Sequence, residues 1–133
     1  MIPSLRFQQR FEHFQRAYLN LEEVINMGRD DFSSLEKEGI VQRFEVLIEL
    51  CWKVIKDFLE SEGFTPKSPK ECIRQAYAYG LINSPEEWLE ALERRNITSH
   101  TYDSQLLDEN VGYILSSFFS LAKNLYLSLK ANL

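Results

Sequence analysis

The sequence predicts an all-α fold: an antiparallel, up-and-down bundle of four to five helices forming a single domain over residues 1–133. Apolar residues recur three and four apart along the long segments, the period of a helix with one buried face. Serine, proline and glycine signals punctuate the chain at helix starts and stops, leaving only short joints, and short joints make neighbouring helices antiparallel. No segment alternates at period two for long enough to make a convincing strand.

Phe7, Phe11, Phe14, Tyr18, Leu21 and Ile25 draw the first stripe, and Gly28 is a stop. The second helix runs from about Leu35 or Ile40 to Glu62, with Gly63 ending it. Its stripe is Val41, Phe44, Ile48, Cys51, Ile55 and Phe58, widened by Leu47, Trp52 and Leu59. Two short helices follow. Ser68-Pro69-Lys70-Glu71 and Ser84-Pro85-Glu86-Glu87 both read as capping boxes, with serine capping, proline at the first helical position and glutamate reaching back. Gly80 stops the first of these, and the second carries Trp88, Leu89 and Leu92 into Arg95. Asp103 or Ser104 caps the last helix, whose stripe is Leu107, Val111, Ile114, Phe118, Leu121 and Leu125. Tyr113, Leu115, Phe119, Tyr126 and Leu127 fall off that stripe. A helix apolar on more than one side is buried on more than one side, so a second copy of the chain is expected to cover it as a homodimer.

Composition narrows the function. Hydrophobic residues make up 44% and aromatics 13%, which suits a folded core. A net charge of −5 argues against a broad surface for double-stranded DNA, while leaving room for RNA at a small basic site. No apolar run approaches the ~20 residues of a membrane span, and the N-terminus lacks a signal-peptide core, so the expected location is the cytoplasm. Cys51 and Cys72 lie in apolar helical patterns and are expected as buried free thiols. His13 and His100 share no ligand spacing with them, so no metal is expected. For Trp52 and Trp88, core packing is expected ahead of stacking on bases.

The chemistry concentrates between Glu93 and Asp103, where Arg95, His100 and Tyr102 stand between two helices. A guanidinium grips phosphate, an imidazole moves protons near neutral pH, and a phenol is an acceptor oxygen once a base assists it. Residues five apart on a straight helix point about 140° away from each other, so Arg95 and His100 need the chain to bend between them. Ile97-Thr98-Ser99 is helix-poor and allows that bend. If the substrate is RNA, cleavage through the 2′-hydroxyl needs both a base and an acid, and this motif holds one histidine. A twofold axis supplies the second copy. Arg94, Lys67, Lys70 and Arg74 are candidates to steer the backbone, set against plain solvated charge. The acidic run Glu86, Glu87, Glu90 and Glu93 reads as a solvated helix face.

Arg95-x-x-x-x-His100-x-Tyr102 resembles the R-x4-H-x-Y signature of HEPN proteins, toxin-like partners of minimal nucleotidyltransferases. Gln42-Arg43-Phe44-Glu45, Glu49-Leu50-Cys51-Trp52-Lys53, Lys56-Asp57-Phe58-Leu59-Glu60, Ser68-Pro69-Lys70-Glu71 and Trp88-Leu89 through Asp103 are similar to the branch called nucleotidyltransferase substrate-binding proteins. The resemblance implies a dimerising helical bundle with a small nucleotidyltransferase encoded alongside. It implies metal-independent ribonuclease activity at Arg95 and His100, with Asn96 in the polar position after the arginine; Arg94 is a supporting residue on its charge alone. It also implies AMP transfer to Tyr102, with ATP used by the partner and no cofactor in this chain. The alternatives are a non-catalytic subunit presenting a substrate, or Tyr102 itself, to the nucleotidyltransferase, and a helical adaptor whose motif is accidental.

Overall fold

The chain folds into helices α1 (Leu5–Asn26), α2 (Ser34–Ser61), α3 (Pro69–Tyr79), α4 (Pro85–Ile97), α5 (Ser104–Tyr113) and α6 (Phe119–Lys130), with a π turn (Ile114–Phe118) joining the last two without a break. These come from a computed structural model that describes residues 4–97 and 103–133, among which there is no strand. The all-α bundle predicted from the sequence is the observed architecture. None of the described helices is long and apolar enough to cross a membrane.

Helix α2 is the spine. It packs along α1 on one side and carries α3, α4, α5 and the π turn on the others. Phe44, Leu47, Ile48, Cys51, Val54, Ile55 and Leu59 are fully buried along it. Phe44 meets Phe118 edge to face, with ring centroids 4.7 Å apart. A buried polar tie crosses this apolar seam: Asp57 is buried and accepts from Arg10 Nε of α1 at 2.8 Å, with Arg6 Nε 3.5 Å away. A carboxylate buried this deeply is tolerable only because cations reach it.

Cap chemistry sets the ends of the helices. Ser33 and Glu36 form a reciprocal capping box, which starts α2 at Ser34 and so ahead of the sequence expectation. The signal, Ser33-Ser34-Leu35-Glu36, is the same pattern that marks α3. Arg29 closes on Glu36 from outside at 2.9 and 3.1 Å. That ion pair, aided by the Ser33 amide, pulls the Glu36 carboxyl down to about 2. Gly63 and Gly80 end α2 and α3 with φ of 95° and 98°. In both, the next amide reaches back five residues, Phe64 to the Leu59 carbonyl and Leu81 to the Ala76 carbonyl, each at 2.9 Å. These turns set Phe64 and Leu81 against the core.

The π turn changes the meaning of the last helix. Ser116 Oγ donates to the Gly112 carbonyl at 2.6 Å, and Ser120 Oγ to the Ser116 carbonyl at 3.1 Å. The wider turn rotates everything after it relative to a straight α-helix. Phe119 and Tyr126 therefore swing onto α1, where both stack on Tyr18, at 5.7 and 4.6 Å. Tyr113, Leu115, Phe119 and Tyr126 all pack partly buried against the core, leaving Leu127 exposed. The apolar surplus expected to need a second chain is covered mainly from within, which removes that argument for a dimer. Cys51 and Cys72 are buried free thiols, and burial pushes both upward, Cys72 to about 11.

Candidate functional site

Helix α4 rests its apolar face on the core through Trp88 and Ala91. Its last turn brings Arg94 and Arg95 to the end where helix-dipole charge favours cations. The two arginines then part. Arg94 folds back onto Glu90 at 3.2 Å and lays its guanidinium over the Tyr113 ring, 4.0 Å from the centroid. Arg95 turns the other way, toward α2, where its Nε lies 2.9 Å from Glu49 Oε1.

Glu49 is the organising group. Its second oxygen accepts from Trp52 Nε1 at 3.2 Å and lies 4.0 Å from Lys53 Nζ. One carboxylate thus orients both a guanidinium and an indole. Around them opens a cleft of about 440 Å³. Glu49 and Trp52 form its α2 wall, Ser68, Pro69 and Lys70 its α3 wall, and Leu92, Glu93, Arg95 and Asn96 its α4 wall. Ser68 is held there because it caps α3, accepting from the Glu71 amide at 3.1 Å. Among these residues Lys70 and Arg95 oppose Glu49 and Glu93, so the charge is balanced. The cleft joins an apolar floor of Trp52, Pro69 and Leu92 to a rim of hydrogen-bonding groups, the make-up of a small-molecule or nucleotide site.

The sequence-predicted residues divide accordingly. Arg95, Asn96 and Lys70 come together at the cleft. Arg94 faces α5 instead, and Lys67 and Arg74 are exposed outside the cleft lining. His100 and Tyr102 lie outside the described residues. Glu93 borders the cleft, while Glu86, Glu87 and Glu90 are exposed as expected of a solvated face. Trp88 is core, but Trp52, expected beside it, is only half-buried and lines the cleft. Sequence reasoning missed Glu49 as a cleft residue and ranked core packing above base stacking for Trp52. The available signal was a carboxylate set inside the apolar run Val46-Leu47-Ile48-Glu49-Leu50-Cys51-Trp52. Lys53, one turn on, is the cation the sequence offers it, but the shorter pairing is with Arg95 on a distant helix.

Comparison with known proteins identifies a family and relatives for this chain. Residues 9–131 match the family described as nucleotidyltransferase substrate binding protein like. Over 72 residues, 50% of this chain, the sequence is 35% identical to a Haemophilus influenzae protein named probable ribonuclease HepT. The match spans 49% of that protein, about half the length of this curated relative. A crystal structure of a Thermus thermophilus protein superposes with a TM-score of 0.74 and 30% identity, covering 84% of this chain and 94% of that one.

Proposed function

The chain belongs to the nucleotidyltransferase substrate binding protein like family of HEPN-type helical bundles, and from that premise we propose that it is a metal-independent endoribonuclease toxin. The observation that carries this reading is Arg95, presented on a nucleotide-sized cleft and oriented by Glu49. His100 stands five residues further along the sequence. The similarity to a protein named as a probable ribonuclease supports the choice.

The proposed chemistry is transesterification. A base takes the proton of the RNA 2′-hydroxyl and the 2′-oxygen attacks the adjacent phosphorus. The 5′-oxygen leaves with a proton from an acid, producing a 2′,3′-cyclic phosphate and a 5′-hydroxyl. His100 moves the protons, and Arg95 orients the phosphate and offsets its developing charge. The scheme needs two proton-transfer groups, so we assign the active species as a homodimer with one histidine from each chain. Control falls to a small nucleotidyltransferase encoded nearby. The Tyr102 oxygen attacks the α-phosphorus of ATP, pyrophosphate departs, and the phenol carries AMP. The added phosphate places negative charge and bulk near Arg95 and excludes RNA.

The test is incubation of purified protein with RNA in excess chelator. Cleavage by the wild type, and none by a folded His100→Ala variant, is the expected result. Equal cleavage by that variant ends the reading. A second reading, a non-catalytic subunit that presents a substrate, draws on the family description and on the balanced charge of the cleft. Under it, the neighbouring nucleotidyltransferase and ATP add AMP to wild type but not to Tyr102→Phe, and no RNA is cut.

A further inference from the structure

The cleft holds an aromatic side chain that the proposed chemistry does not use. Trp52 differs from Trp88, which is 2% exposed and sealed in the core. Trp52 is half-buried, lines the cleft, and is fixed by its hydrogen bond to Glu49. The carboxylate that fixes it also lies 2.9 Å from Arg95, so indole and guanidinium sit within one nucleotide's reach. Pro69 and Leu92 extend the apolar surface and Lys70 stands on the rim.

Resting on the ribonuclease reading, we propose that Trp52 is the stacking platform for one nucleobase of single-stranded RNA, adjacent to the phosphate gripped at Arg95. Charge alone does not explain affinity here. The protein carries a net −5, and the described residues lining the cleft carry as many anions as cations, with Lys53 beside them against Glu49 and the Trp52 ring. Recognition then has to draw on contact with the base, and an aromatic face accepts any base because every base has a π-face. A ring already held in place loses little freedom when the base arrives, which favours binding. The cleft is open between α2, α3 and α4, and its volume of about 440 Å³ suits a small group such as one unstacked base.

The experiment uses the full chain and a short 2′-O-methylated RNA, which binds without being cut. Saturable quenching of tryptophan emission is expected, together with protection from acrylamide. Trp52→Leu should weaken binding of the labelled RNA about tenfold, with Trp52→Phe retaining most of it. With cleavable RNA, Trp52→Leu should raise KM by the same factor and leave kcat nearly unchanged. Affinity unchanged in Trp52→Leu overturns the proposal. So does wild-type acrylamide access that stays constant on RNA saturation, a result that needs no variant. Quenching by ATP but not by RNA also overturns it and favours the substrate-presenting reading. The two readings fail separately: RNA bound through Trp52 but never cut defeats the nuclease alone, and RNA cut with Trp52 irrelevant defeats the platform alone.

Discussion

Replacing Glu49 by glutamine isolates what one carboxylate does. Glutamine keeps the shape, but its single amide oxygen can accept from Trp52 Nε1 or from Arg95 and not both, so the change removes the charge and one of the two acceptors. The side chains of the pair are 38% and 32% exposed, so solvent screens most of their attraction. The stability cost is therefore that of a surface ion pair, about 0.5 kcal/mol. For a domain of this size that lowers the melting temperature by about 2 °C. Function should respond more than stability does. The cleft lining shifts from balanced to net positive, so RNA binds more tightly at low salt. Each additional phosphate contact steepens the log–log salt dependence by about 0.7 for a single strand. Cleavage at saturating RNA should fall, because Arg95 loses the partner that orients it. The assay is a salt titration of binding to uncleavable RNA, run beside single-turnover cleavage and a thermal melt. An unchanged salt slope with unchanged cleavage would refute the reasoning and reduce Glu49 to a surface contact. A fall in melting temperature beyond about 10 °C, by the same scaling, would show that it is structural instead.

Other perturbations test the scaffold. Asp57→Ala strips Arg10 and Arg6 of their buried partner and opens the α1–α2 seam, so urea unfolding should lose about 3 kcal/mol. Gly80→Ala keeps open space around the new Cβ but forces it to a φ of +98°, for a loss of about 1 kcal/mol with the fold intact. Glu36 is held at about 2 against an ordinary 4.5, and a depressed carboxylate stabilises the fold above its unfolded value. That stability should drain away as pH falls from 4.5 through about 2, so wild type and Glu36→Gln should differ in melting temperature near neutral pH and converge at the acid end.

Local chemistry made much of the fold legible. Ser68 caps α3 and Gly80 ends it with a left-handed residue, as their neighbours in sequence require. The stripe from Phe7 to Leu21 is buried as its spacing demands. The last helix was misjudged because a π turn leaves almost no trace in residue type. Gly112, Ser116 and Ser120 are compatible with an ordinary helix, and only their side-chain hydrogen bonds in the fold expose the difference. Rotated by that turn, Tyr126 meets Tyr18, a contact that a straight helical wheel cannot show.

The site divides along the same line. By itself the sequence determined that a guanidinium, an imidazole and a phenol stand within eight residues at the end of a helix, since that cluster is contiguous and its motif is local. It also determined the helices, whose period and caps are written over a few residues at a time. Only the tertiary structure decided that Arg95 faces a cleft while Arg94 faces Tyr113, that Glu49 is the carboxylate opposite Arg95, and that Trp52 belongs to the cleft and not to the core. The reason is physical: side-chain partners chosen across helices depend on how those helices rotate and pack, and that is settled by burial over the whole chain at once.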